Sequence, residues 1–177
     1  KRRAKDSPLC LVPMGVDQDP YFRLARDVAP RLGEEKAAVI HGKFLPALSG
    51  LAGKMSTTVG PAAGVADKPI FVDSNRKQIR KSIMSAVSGG RKTLEEHRRL
   101  GANVSVDVPL KYLQFFLEDD KVLEQVTADY AAGKLTSGEV KTLTVDAVLA
   151  TVEAHQTARR AVTPEVVEAF MTPRCLF

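Results

Sequence analysis

Two segments of this 177-residue chain hold side chains suited to phosphate chemistry. The first is Lys54-Met55-Ser56-Thr57-Thr58, an ammonium followed by three hydroxyls within a Gly- and Pro-rich stretch. A lysine on such a segment is a mobile point charge for a polyphosphate, and the hydroxyls are additional donors. The spacing is not that of a Walker loop. On spacing alone, an exposed linker lysine is the better fit. The second segment is Pro13-Met14-Gly15-Val16-Asp17-Gln18-Asp19-Pro20. It leads from the carboxyl end of a predicted strand into a predicted helix N-terminus, where ligands of open parallel sheets bind. Gly15 would let a ligand approach the backbone, Gln18 offers donors and an acceptor, and the helix amides favour an anion. A plain Asp-capped turn is the alternative.

Other chemistries find little support. His41, His97 and His155 lie at no metal-ligand spacing from one another or from Cys10 and Cys175, so no metal site is expected. His41 could flank the second segment, whereas His97 and His155 read as helix-surface or packing residues. There is no Gly-x-Ser-x-Gly elbow, no Cys–His pairing and no singled-out pair of carboxylates, so nucleophilic catalysis is not indicated. Trp is absent and aromatics are 6%, a poor supply for base-stacking platforms. Tyr112, Phe115 and Phe116 fall at helical spacing and read as core. Two cysteines without a disulfide framework point to a reducing, intracellular setting. No uncharged apolar run approaches the roughly 18 residues of a membrane span. The charged start, Lys1-Arg2-Arg3-Ala4-Lys5-Asp6, is no secretory signal, and its lack of an initiator Met suggests a processed or partial chain.

Charge is unevenly spread. The total is +5, but residues 75–101 hold eight basic and two acidic side chains, whereas residues 117–129 hold five acidic and one basic. The basic stretch is either a solvated helix face or a surface for a polyanion.

The elements that must position these groups divide near Ser74. Before it, Leu9–Val12 and Ala37–Ile40 read as short strands flanking a helix over Pro20–Leu32. Asp19 is the expected N-cap, Pro20 the first helical residue and Gly33 the stop. This is a βαβ unit. Ser49–Pro69 reads as a long loop. From Asp73 onward the pattern is helical. Asp73 or Ser74 should cap a helix bearing Ile79, Ile83 and Val87 on one face, with Arg76/Arg80 and Lys77/Lys81 as basic columns beside it. Thr93/Glu96 and Thr136/Glu139 fit capping boxes. Helical pieces follow over Tyr112–Leu117, Leu123–Tyr130, Val140–Arg160 and Thr163–Met171. The expected architecture is α/β over residues 1–73 and all-α over 74–177.

From Leu9 to Arg174 the chain carries a series of specific segments in order. They include Asp17-Gln18-Asp19-Pro20-Tyr21-Phe22-Arg23, Phe44-Leu45-Pro46-Ala47-Leu48, Lys54-Met55-Ser56, Ser88-Gly89-Gly90-Arg91, Phe115-Phe116-Leu117-Glu118-Asp119-Asp120 and Phe170-Met171-Thr172-Pro173-Arg174. In these it resembles the C-terminal portion of class I tryptophanyl-tRNA synthetases of the eukaryotic and archaeal type. The resemblance implies the end of a Rossmann-like catalytic domain followed by a helical anticodon-binding domain. It implies ATP-dependent formation of tryptophanyl-adenylate and transfer to tRNA(Trp), with ATP and Mg2+ as substrate, in a cytoplasmic enzyme that is a homodimer at full length. Lys54–Thr58 then matches the family's "KMSKS" loop, with Lys54 stabilising the departing pyrophosphate and Met55 and Ser56 holding the nucleotide. Met14, Gly15 and Asp17 match an ATP and adenylate segment, and Gln18 a tryptophan contact. Arg91, Lys92 and Lys141 match anticodon-contacting positions. The chain departs from the family in its Thr57-Thr58 ending, in a longer connection over Val59–Pro69 and in Lys92, where relatives can have an acidic residue. The family's upstream half, with its HIGH-type motif, has no counterpart, so the chain alone is expected to be inactive in adenylate formation. A stand-alone tRNA-binding module and a non-enzymatic interaction fragment are the alternatives.

Overall fold

The computed structural model describes residues 10–54 and 69–173, with the backbone alone for residues 52–54. The chain divides into two compact units between Phe44 and Leu45.

In the first unit, β1 (Leu11–Gly15) pairs in parallel with β2 (Ala38–Gly42), and α1 (Asp19–Leu32) connects them. This is the expected βαβ unit, with β1 reaching two residues past Pro13. Asp19 is not the cap. It is the first helical residue, Gln18 stands at the cap position, and Pro20 follows where its missing N–H costs nothing. Gly33 ends α1 with φ +83°, a left-handed conformation that disfavours a side chain. Pro30 therefore does not stop the helix, which closes two residues later.

The second unit opens with an antiparallel hairpin of β3 (Pro46–Ala47) and β4 (Gly50–Lys54), of which β4 lies within the Ser49–Pro69 stretch expected to be loop. Among the described residues six helices follow: α2 (Arg76–Met84), α3 (Leu94–Leu100), α4 (Val108–Phe116), α5 (Asp120–Ala131), α6 (Ser137–Arg160) and α7 (Pro164–Met171). Asn75 caps α2, rather than Asp73 or Ser74, in a reciprocal box with Gln78. Thr136 and Glu139 form the expected box on α6. Thr93 caps α3 by accepting from the Glu96 N–H at 3.2 Å, without a return bond among the described residues.

Helix α4 is the hub, because its sequence is apolar on two faces. Val108 and Tyr112 join Leu48, Ile79, Ile83, Val145, Val148, Leu149 and Val152 in one buried cluster. Leu110 and Leu113 join Val126, Tyr130 and Val140 in another. Ile79 and Ile83 are fully buried as expected, but α2 ends at Met84 and Val87 lies outside it, partly exposed. There the backbone takes over, since Val87 N–H donates to Leu48 O and Val108 N–H to Val87 O. Tyr112 also ties the hairpin to α4, its hydroxyl donating to Pro46 O at 3.0 Å. Phe116 packs against the first cluster, whereas Phe115 is 46% exposed and not core. Among the described residues no helix is long and apolar enough to cross a membrane.

Candidate functional site

In the first unit the parallel register sets Met14 opposite His41 and Gly15 opposite Gly42. Both strands thus finish at the same end, and the chain leaves β1 through a single 3-10 turn, Val16–Gln18, into α1. Four of the expected contact residues, Met14, Gly15, Asp17 and Gln18, are gathered at this mouth. Gln18 is exposed and makes no capping bond, so helix formation does not use its amide. A Cβ on Gly15 would lie 2.8 Å from Phe44 Cε1 and 3.0 Å from Asp17 Oδ1. The space a side chain would need at Gly15 is therefore filled by Phe44 and Asp17.

Asp19, released from capping, accepts from Arg23 Nε at 2.5 Å and pairs with His41 Nε2 at 2.9 Å. His41 thus flanks the mouth and is tied to it. Burial pushes the Asp19 carboxyl up, but the bonds from Arg23 and His41 outweigh it and hold the group below its ordinary value. Arg26 anchors the other side of α1 by donating to Ala37 O.

Lys54 is the last residue of β4, at the end of a hairpin whose Leu48 is buried in the helical core. Met55, Ser56, Thr57 and Thr58 lie outside the described residues, as does the connection over Val59 to residue 68.

The second constellation surrounds the turn Ser88-Gly89-Gly90-Arg91. Asp107, fully buried at the cap of α4, accepts from Leu110 N–H at 2.7 Å, Gly89 N–H at 2.8 Å and the Tyr130 hydroxyl at 2.7 Å. Tyr130 also bonds Ser137 Oγ at 2.9 Å, at the start of α6. Burial, together with the Asp107 charge, pushes the Tyr130 hydroxyl well above its ordinary value. The turn is packed tightly as well. A Cβ on Gly89 would lie 1.9 Å from Asn103 O, and one on Gly90 2.0 Å from Ser137 Oγ. Buried His97 accepts the Arg91 N–H on Nδ1 at 3.4 Å and bonds Leu135 O through Nε2 at 2.7 Å. It is a packing residue rather than a surface one. This bonding requires the imidazole proton on Nε2.

The three basic residues expected to touch RNA therefore differ. Arg91 Nε donates to Gly101 O at 2.9 Å, so one of its five guanidinium N–H donors is structural. Lys92, next along the turn, is exposed. Lys141, one turn of α6 beyond Ser137, is half-buried, and its ammonium donates to Met84 O at 2.9 Å. Burial pushes its pKa down, partly offset by Asp107. Sequence reasoning missed Asp107, Tyr130 and Ser137. The Asp107-Val108-Pro109 spacing, a cap followed by a proline in the first turn, was the available signal. His155 lines an apolar cavity with Leu45, Ile70, Tyr112, Phe116 and Val152. Among the described residues no group of three or more His, Cys, Asp or Glu is placed to hold a metal ion.

The family model of class I tRNA synthetases (W and Y) matches residues 3–153. The chain belongs to this family. Three similar proteins are tryptophan enzymes. The cytoplasmic tryptophan–tRNA ligase of Arabidopsis thaliana is 49% identical over 173 residues, 97% of this chain. The tryptophanyl-tRNA synthetase of Giardia lamblia superposes with a TM-score of 0.83 at 42% identity, covering 94% of this chain and 40% of that one. That of Encephalitozoon cuniculi bound to tryptophan gives 0.76 at 37% identity, covering 97% and 44%. This chain is thus of the eukaryotic tryptophanyl type with the class I Rossmann-like fold, and it spans 42% of the length of the Arabidopsis relative. Within the family, the parallel strand ends and the Lys54 hairpin fall in the matched span, as does the whole Asp107–Tyr130 network.

Proposed function

We propose that this chain is the C-terminal portion of a cytoplasmic tryptophan–tRNA ligase. Residues 1–73 supply the tail of the Rossmann-like catalytic domain, and residues 74–177 form a helical anticodon-binding domain. The observation that carries this reading is 49% identity over 97% of the chain to an enzyme of that name, with the segments around Gln18, Lys54 and Arg91 inside the family match.

In the reaction, a tryptophan carboxylate oxygen attacks the α-phosphate of ATP, which is bound as its Mg2+ complex. A new P–O bond forms, the α–β bridge breaks, and pyrophosphate leaves. A hydroxyl at the 3′ end of tRNA(Trp) then takes the tryptophanyl group and AMP departs. No covalent enzyme intermediate is required, consistent with the absence of a nucleophile motif. Gln18 contacts tryptophan, the Met14–Gly15 backbone and Asp17 contact the adenylate, Met55 and Ser56 hold the nucleotide, and Thr57 and Thr58 complete the catalytic loop. Lys54 places its charge on the departing pyrophosphate, an interaction realised in the transition state. Arg91, Lys92 and Lys141 face the anticodon, with Arg91 fixed by Gly101 O and Lys92 extending from the same turn. The full-length enzyme is a homodimer.

The test is tryptophan-dependent ATP–pyrophosphate exchange. The full-length enzyme catalyses it, and Lys54→Ala slows it by about 10²–10³, the scale of losing one transition-state donor. The 177-residue chain alone gives no exchange. Exchange by the isolated chain at a whole enzyme's rate would sink the fragment reading, and an unaffected Lys54→Ala would remove Lys54 from the mechanism.

A further inference from the structure

Three of the eight basic side chains in residues 75–101 are tied into the fold. Arg76 pairs with Glu153 at 2.7 Å, Arg91 bonds Gly101 O, and Arg98 donates to Gly133 O and Lys134 O. Helix α2 presents a different arrangement. Ile79 and Ile83 point into the core. At 3.6 residues per turn, Arg80, Met84, Lys77 and Lys81 then follow one another over about 100° of the opposite face. All four are exposed, and the three cations have no ion-pair or hydrogen-bond partner among the described residues.

The strip does not end with the helix. Lys141 Nζ reaches Met84 O, placing a fourth cation at the carboxyl end of α2. That ammonium has three N–H groups and uses one there. Of the α6 acids near α2, Glu153 is paired with Arg76 at the other end of the helix, and Glu139, which shares a groove with Met84, is bonded to Thr136. From Lys77 to Met84 the helix rises about 10 Å, enough to meet two or three phosphates of one nucleic-acid strand. Lys77 and Lys81 stand four residues apart and repel each other, an arrangement that weakens a helix by itself. An anionic chain laid across them turns that repulsion into attraction. Met84 is the one apolar side chain among these four, and at the end of the strip it borders a shallow groove with Leu135, Glu139 and Leu143.

We propose that the Lys77–Arg80–Lys81 face of α2, which ends beside the anticodon-facing Lys141, takes the phosphodiester backbone of the bound RNA. This rests on the tRNA reading above, and it assigns phosphates to α2 in addition to the base-facing groups of the 91–92 turn. Phosphate contacts set register and affinity without reading sequence.

The test is binding of labelled tRNA(Trp) and a non-cognate tRNA to the full chain across a salt series. The triple variant Lys77→Gln/Arg80→Gln/Lys81→Gln is compared with a control of equal charge change, Lys121→Gln/Arg159→Gln/Arg160→Gln. The α2 variant should lower the slope of log K against log salt by about 2 to 3. It should weaken both tRNAs by the same factor, while the control stays near wild type. All six positions are exposed, so circular dichroism should show unchanged helix content. If the wild-type chain binds tRNA and the α2 variant keeps its slope, or if both variants lose equally, the phosphate assignment to α2 fails alone. If the wild-type chain binds no tRNA, the tRNA reading fails with it.

Discussion

Removing the Asp107 carboxylate should destabilise the helical unit by a large fraction of its total stability. Asp107 is fully buried and accepts three hydrogen bonds, from Gly89 N–H, Leu110 N–H and the Tyr130 hydroxyl. In Asp107→Ala the Tyr130 hydroxyl can still turn to Ser137 Oγ, but the buried Gly89 and Leu110 amides lose their partner. An unsatisfied buried donor costs about 1–3 kcal/mol, and one of the two losses is also the cap of α4. The expected loss is about 3–5 kcal/mol, against the roughly 5–15 kcal/mol that holds a domain together. Tyr130→Phe leaves Asp107 both amides and should cost about 1–1.5 kcal/mol. Asp107→Asn falls between, because only one of its two positions remains an acceptor and the amide must meet a donor on one side. Urea unfolding followed by far-ultraviolet circular dichroism measures all three, and the Asp107/Tyr130 double variant gives their coupling. An Asp107→Ala variant within 1 kcal/mol of wild type, by this order-of-magnitude reasoning, would refute the network's role. So would Tyr130→Phe costing as much as Asp107→Ala. The same carboxylate holds the turn that presents Arg91 and Lys92, so on the proposed tRNA reading a folded Asp107→Asn chain should bind tRNA more weakly, although Asp107 itself is fully buried.

Gly89→Ala should be worse than Gly90→Ala in the same unfolding assay. The first added methyl meets a backbone carbonyl at 1.9 Å, and the second meets a serine hydroxyl that can rotate away, with the Ser137 Cβ at 3.3 Å. Equal losses would mean that the turn shifts as a body. Alkali should weaken the helical unit through its tyrosines. Burial pushes Tyr112 from 10.0 up to about 12, so the folded state keeps a proton that the unfolded chain releases. That stability is fully present below about pH 10 and is lost as pH rises toward 12, on the order of 3 kcal/mol. Tyr112→Phe should flatten this limb of the pH profile, and an unchanged limb would remove Tyr112 as its source.

The helices were legible where the sequence carried its own stop signals. Thr136 with Glu139, Thr163 before Pro164 and Gly33 each did in the structure what their chemistry allows. The errors arose where one signal had two possible uses. Asp19 before Pro20 has the composition of a cap, yet its carboxylate is drawn to Arg23 and to His41 on β2, twenty-two residues away. That second attraction is set by strand register, which local propensity does not encode. Asn75 won the cap of α2 over Asp73 and Ser74 because only it has Gln78 three residues on to complete the box. The β3–β4 hairpin was hidden by its glycines. It gains its place from Leu48 entering the core and from Tyr112 bonding Pro46 O, both long-range contacts.

For the candidate sites, the identity of a basic residue in the sequence does not say whether its charge is already used. Arg91 and Lys92 are neighbours, and composition treats them alike. In the fold the Arg91 guanidinium bonds Gly101 O and its amide bonds His97, whereas Lys92 is exposed on the same fixed turn. Such a pairing separates rigidity from reach. Arg91 sets where the turn points, and Lys92 supplies a charge whose position follows from it. The logic continues into α6, where Ser137 fills the space beside Gly90 and Lys141 stands one helical turn further on. On the proposed tRNA reading, losing Arg91 should therefore disturb both the turn and RNA affinity, while losing Lys92 should change RNA binding alone. The difference follows from the buried carbonyl of Gly101, which is left without its partner in the first case and untouched in the second.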